Sequence, residues 1–201
     1  MRVLELGSGT GLPGLLLARL GAHVTLTDAV DQPEVLANLE AACRDNGLVV
    51  IPWPAQKPSE SRRGDPASGE AAPGSVSVSG LSWGRTDASA LELASRAFDL
   101  VVGADVLYAK GRDFDHLLAT VRLLLERAGG PGATFVTAYQ HRSAHRSLEA
   151  FIELWGLEVT RVWQLGEEQG GEEEEEEEDR DADRDTGGVA VDVVEIRIKR
   201  G

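Results

Sequence analysis

The sequence predicts an α/β fold: a mostly parallel sheet with helices on both faces, finished by an antiparallel C-terminal hairpin. Three observations predict it. Short apolar or alternating runs take turns with stretches of helical period up to residue 155, the pattern of a parallel sheet with crossover helices. A glycine-rich turn, G-S-G-T-G at 7–11, joins the first run to the first helix. Two alternating stretches close the chain, with only an acidic run between them.

The elements follow in order. Val3, Leu4 and Leu6 mark a first buried strand. Leu12–Leu20 is a helix with Pro13 in its first turn, where a missing N–H costs least; Leu15, Leu16 and Leu20 are its expected core contacts, and Gly21 ends it. Residues 23–27 (H-V-T-L-T) alternate as a second strand, with Asp28 at its end. Pro33–Asn46 is a helix with Val35, Leu36 and Leu39 at helical spacing. The third strand has two candidates, Leu48–Ile51 and Ser75–Leu81. The second is preferred for its period of two, with the first as a short extension or packed root. A short helix precedes a fourth strand, Phe98–Gly103. Asp113–Ala128 is a helix with Phe114, Leu117, Leu118, Val121, Leu124 and Leu125 on one face, broken by Gly129-Gly130-Pro131-Gly132. Ala133–Ala138 is the fifth strand. A helix capped by Ser143 runs to Trp155, with Leu148, Phe151 and Ile152 buried. Leu157–Leu165 and Val189–Lys199 form the hairpin.

Two stretches stand outside this pattern. Residues 52–74 hold five of the eight prolines, and residues 166–188 hold thirteen acids and two arginines. Neither carries enough apolar surface to offset the entropy of ordering, so 52–74 is expected to be a disordered insertion and 166–188 an acidic disordered loop. The remaining 155 residues suit a single domain. Of the net charge of −14, the acidic loop supplies −11, leaving the rest near neutral with no basic stripe. That argues against nucleic acid as the main partner. Cys43 is the only cysteine, no apolar run reaches a membrane span, and a cytoplasmic or nuclear protein is expected. His141 and His145 are spaced i, i+4 with no third ligand nearby, and His23 and His116 are elsewhere, so no metal site is expected.

The chemistry gathers at the carboxyl ends of strands. Gly7, Gly9 and Gly11 allow a ligand to approach the backbone at a helix N-terminus. A dinucleotide fingerprint needs a third glycine where Leu12 stands. Glu5, close to the turn, would repel a pyrophosphate and suits a cationic cofactor. Asp28 is placed to accept from ribose hydroxyls, a role shared by both cofactor types. If the first and fourth strands flank the point where strand order reverses, Gly7–Gly11 faces Ala104–Tyr108 across one crevice.

Four segments, in order, resemble the seven-β-strand protein-lysine methyltransferases, which modify chaperones, ATPases and translation factors. V-L-E-L-G-S-G-T-G (3–11) looks like motif I and V-T-L-T-D (24–28) like the second-strand acidic motif. L-S-W-G (81–84) is similar to Leu-x-Trp-Gly, and G-A-D-V-L-Y (103–108) to the Asp-x-x-Tyr segment. The resemblance spans nearly the whole chain apart from 52–74 and the acidic loop. It implies a Rossmann-like, seven-stranded methyltransferase sheet and S-adenosyl-L-methionine as cofactor. Gly7, Ser8 and Gly9 would line its methionine and ribose portions, with Glu5 nearby. Asp28 would hold the ribose, Trp83 the adenine, and Ala104 would act through its backbone. Asp105 and Tyr108 would be catalytic: a carboxylate stabilises the attacking nitrogen as it becomes cationic, and the phenol offers an aromatic wall or a hydrogen bond. The implied reaction is N-methylation of a protein side chain, lysine first. A nucleic-acid amino-methyltransferase would show Pro-Pro where Val106-Leu107 stands. The family carries a Trp-containing segment ahead of the first strand; this chain begins inside that strand, so an N-terminally truncated domain is expected. A second reading is an inactive, cofactor-deficient fragment that serves as a protein-interaction module.

Overall fold

The computed structural model describes residues 1–53, 74–107, 112–127, 129–140, 148–165 and 191–199. Residues 54–73 of the expected insertion and the acidic loop lie outside the described residues, as do Ser143 and both His141 and His145. Along the chain run β1 (Arg2–Leu6), α1 (Leu12–Arg19), β2 (His23–Asp28), α2 (Pro33–Asp45), β3 (Val49–Val50) and β4 (Ser75–Gly80). Then follow α3 (Ala88–Ala94), β5 (Phe98–Ala104), α4 (Arg112–Arg127), β6 (Gly129–Gln140), α5 (Leu148–Leu154), β7 (Leu157–Leu165) and β8 (Val191–Ile198).

The strands form one sheet in the order β3-β4-β2-β1-β5-β6-β8-β7. Every pair from β3 to β6 is parallel, and β8 runs antiparallel to both β6 and β7. The expected seven-stranded sheet is therefore present with one addition. Both candidates for the third strand pair, because Val49 and Val50 align with Ser75 and Val76 at the sheet edge. Ile51 N–H still donates to Val76 O at 2.7 Å, and Pro52, lacking an N–H, ends the run.

Alternating side chains bury both faces of the sheet, as expected for parallel strands. Val3, Val24 and Leu26 face α1 and α2, while Leu4, Leu6 and Phe135 belong to the core cluster that includes Leu93, Leu117 and Ile152. Three expectations need correction. On α1, Leu15 is buried, but Leu16 and Leu20 are 58% and 69% exposed. Gly14 and Ala18 take the inner face instead, because α1 sits so close to β2 that a Cβ at Gly14 would overlap Leu26. Phe151 is 36% exposed and packs edge-on against Phe114, with centroids 5.5 Å apart. Strand β6 begins at Gly129 rather than Ala133, and an irregularity in register between Phe98 and Leu100 accommodates its proline-containing start. Among the described residues, no helix is long and apolar enough to cross a membrane.

Candidate functional site

Strand β1 pairs with β2 on one side and β5 on the other, so the strand order reverses beside it. The crevice beyond the carboxyl ends of β1 and β5 is where open α/β sheets bind ligands. Three backbone segments shape it.

The first is the turn after β1. Gly7 and Gly9 hold φ of 59° and 51°, values that strain residues with a Cβ. A Cβ at Gly7 would lie 3.0 Å from both Trp83 and Val106, whereas one at Gly9 would meet nothing within 4 Å. Gly9 is thus the open floor of the crevice and Gly7 its packed wall. Ser8 anchors the turn to β2: its N–H donates to Thr27 O at 2.9 Å, and its Oγ accepts from Thr27 N at 3.1 Å. Asp28 closes the turn from the end of β2, its two carboxylate oxygens accepting from Gly9 N at 2.8 Å and Ala29 N at 2.7 Å. Glu5 works from below. It is 1% exposed, and its Oε2 accepts from Gly14 N at 3.2 Å. Burial pushes its carboxyl up to about 7, with a smaller push from the Asp28 charge; bonds from Gly14 N and Ser8 pull the other way.

The second segment follows β5. Asp105 has φ 53°, unusual outside glycine though tolerated by Asp. Val106 and Leu107 behind it are buried. Gly103 makes this reversal possible, since a Cβ there would lie 2.7 Å from Val106 Cγ2. Val106 thus fits against both Gly7 and Gly103, locking the ends of β1 and β5 together.

The L-S-W-G segment forms a third wall. Leu81 is buried and its N–H donates to Asp28 O at 2.8 Å. Gly84 N donates to Thr120 Oγ1 at 2.9 Å, and Thr120 back-bonds His116 O on α4 at 2.9 Å. Gly84 has φ 73°, and a Cβ there would lie 2.6 Å from the His116 ring. The segment is thereby pinned to α4, with the Trp83 ring turned toward Gly7.

Together these walls enclose a cavity of about 630 Å³. Of the residues expected to form the site, Gly7, Gly9, Asp28, Trp83 and Asp105 line it. Glu5, Ser8 and Ala104 stand outside the lining; Glu5 and Ser8 are buried and hold the turn together. Tyr108 lies outside the described residues. Asp31, Asp113 and His116 also line the cavity, and no strand-end motif in the sequence marked them. Among the described residues, four carboxylates and no Lys or Arg appear in this lining. Such a donor set disfavours phosphates and fits a cofactor carrying a sulfonium and an ammonium. Asp28 and the open backbone at Gly9 would hold its ribose and methionine portions, and Trp83 the base.

Comparison with known proteins agrees with this chemistry. The family model described as lysine methyltransferase matches residues 1–56. Histone-arginine methyltransferase METTL23 of Xenopus laevis is 37% identical over 161 residues, covering 80% of this chain and 56% of that protein. Protein N-lysine methyltransferase METTL21A of Danio rerio is 36% identical over 124 residues, 61% of this chain and 44% of that one. The chain spans about half the length of these curated relatives. Among solved structures, the CcbJ methyltransferase of Streptomyces caelestis aligns with TM-score 0.58 at 15% identity, covering 99% of this chain and 84% of that one. A TehB-like SAM-dependent methyltransferase of Corynebacterium glutamicum aligns with TM-score 0.56 at 16% identity, covering 98% and 80%. The structural matches establish the fold, that of Rossmann-like methyltransferases. In sequence the chain is similar to methyltransferase-like proteins and protein-lysine methyltransferases, and that similarity together with the fold supports S-adenosyl-L-methionine as the cofactor.

Proposed function

We propose that this chain transfers a methyl group from S-adenosyl-L-methionine to a side-chain nitrogen of a protein, lysine first. The observation that carries the reading is one cavity, lined by carboxylates, that joins the glycine turn to Asp105. The bound cofactor supplies a methyl group on a cationic sulfur. The chain's own residues supply position and charge. Asp28 and Gly9 hold the ribose and methionine end, and Trp83 the adenine. Asp105, at the crevice rim, stabilises the acceptor nitrogen as it takes on positive charge, and Tyr108 stands three residues on in the same segment. The substrate belongs to the chaperone, ATPase or translation-factor class, in the cytoplasm or nucleus.

Lysine is supported by the family model and by METTL21A. Arginine is the second reading, supported by the 37% identity to a histone-arginine methyltransferase. The test incubates the protein with methyl-labelled S-adenosyl-L-methionine and, separately, core histones, chaperone and translation-factor preparations. The labelled product is then hydrolysed and its methylated amino acid identified by mass spectrometry. Methyl-lysine is the expected product, and methyl-arginine hands the case to the second reading. No transfer to any protein, from a folded chain shown to bind the cofactor, overturns both.

A further inference from the structure

Glu5 is the chemically active side chain of this region that the crevice does not use. Its side chain leaves β1 on the face covered by α1, is 1% exposed, and reaches Gly14 N at 3.2 Å. A Cβ at Gly14 would overlap its Oε2, so helix and carboxyl are in direct contact. Ser8, inside the glycine turn, is its other hydrogen-bond partner. Its neighbours in register are apolar, Leu26 of β2 and Val102 of β5. From α2, Leu39 fills the space under Gly11. The charged group that faces it is Asp28 at the end of β2, of the same sign. No cationic side chain is among these neighbours. A carboxyl so placed holds its proton until a positive charge arrives nearby.

We propose that Glu5 is a positioning residue and a proton-linked counter-charge: it ties α1 to β1 beneath the turn, and it passes from carboxyl to carboxylate when a cationic ligand fills the crevice. The ligand is the sulfonium cofactor, so the inference rests on the reading above. The balance is simple. Empty protein with Glu5 as the acid takes up the cation, and the proton leaves to solvent. Burial already pushes this carboxyl up to about 7, so the exchange falls near neutral pH. Glu5 lies outside the cavity lining and acts on the ligand through its charge rather than by contact.

The experiment is titration calorimetry at pH 7 in two buffers of different ionisation heat, with the intact chain and with Glu5→Gln. S-adenosylmethionine is compared with S-adenosylhomocysteine, which lacks the sulfonium charge but keeps the amino group, and the same pair run on Glu5→Gln subtracts the proton exchange of the ligand amine. The unsubstituted chain should release up to about half a proton more for the sulfonium ligand, and its affinity should fall by up to about tenfold per pH unit below 7. Both effects should vanish in Glu5→Gln. If that variant does not fold, the same exchange is read in the unsubstituted chain from the ¹³C shift of the Glu5 carboxyl. Its midpoint should move down when S-adenosylmethionine is added. Equal proton release in both proteins, or a midpoint the ligand leaves in place, overturns the inference while the cofactor reading stands. No binding heat from folded protein overturns the cofactor reading, and this inference with it.

Discussion

Asp105 shows how much a single residue can be constrained by its surroundings. Its φ of 53° is held because Val106 and Leu107 are committed to the core on one side and Gly103 yields space on the other. A strained, exposed carboxylate at the rim of the crevice is the kind of outlier that a functional role explains. Asp105→Ala should lower methyl transfer by about a hundredfold or more. Cofactor affinity should stay within a few-fold, measured by calorimetry beside a turnover assay. Glu5 makes a prediction about stability. Its folded pKa of about 7 lies above the ordinary 4.5, so the folded state binds more protons between these values. Its contribution is fully present below about 4.5 and is lost as pH rises through 7, on the order of 3 kcal/mol at most. Chemical denaturation should show stability falling over that window in the unsubstituted chain, and a flatter profile in Glu5→Gln. That Asp28 and Asp105 would meet at one crevice was legible because each carboxylate stands at the carboxyl end of an apolar strand. The work of Glu5 and Ser8 was not, since burial beneath a helix leaves no mark on the local pattern.

At the scale of elements, the L-S-W-G segment earns its glycine through α4. Gly84 is at once left-handed, bonded to Thr120 and pressed against the His116 ring. Gly84→Ala should therefore cost about 2–3 kcal/mol, combining backbone strain with the displaced ring. Because the Trp83 ring moves with it, cofactor binding should weaken in parallel. A thermal melt and a fluorescence titration on one sample check both; unchanged binding would separate Trp83 from the cofactor. Helix α1 illustrates the opposite limit. Its leucine-rich sequence presents several possible apolar faces, and periodicity selected Leu16 and Leu20. The sheet instead accepted Gly14 and Ala18, because close approach to β2 leaves no volume for a larger side chain. For α4, whose leucines apart from Leu123 gather on one face, periodicity picked out the buried set Leu117, Leu118, Val121, Leu124 and Leu125.

For the whole molecule, sheet topology decides what meets what. Leu165 of β7 and Val191 of β8 are direct partners, beside Gln140 at the end of β6. These strand ends, which flank the acidic stretch in the sequence, therefore lie at the same edge of the sheet as the crevice after β5. Replacing residues 166–188 by a short turn should leave the melting temperature within a few degrees, since the hairpin partners already align. A large loss of stability on differential scanning calorimetry would show that the stretch belongs to the core.

The sequence by itself determined the alternation of strands and helices, the antiparallel ending, and the four segments that resemble methyltransferase motifs. Each is written locally, in period, glycine placement or an acid at a strand end. Only the tertiary structure decided which glycine faces the crevice and which is packed, that Val106 joins β1 to β5, and that Asp31, Asp113 and His116 share the cavity with Asp28 and Asp105. It also placed Glu5 beneath the turn rather than within the cavity lining. Those relations join residues far apart in the chain or set opposite faces of one strand against different neighbours, so they exist only once the sheet has brought its strand ends together.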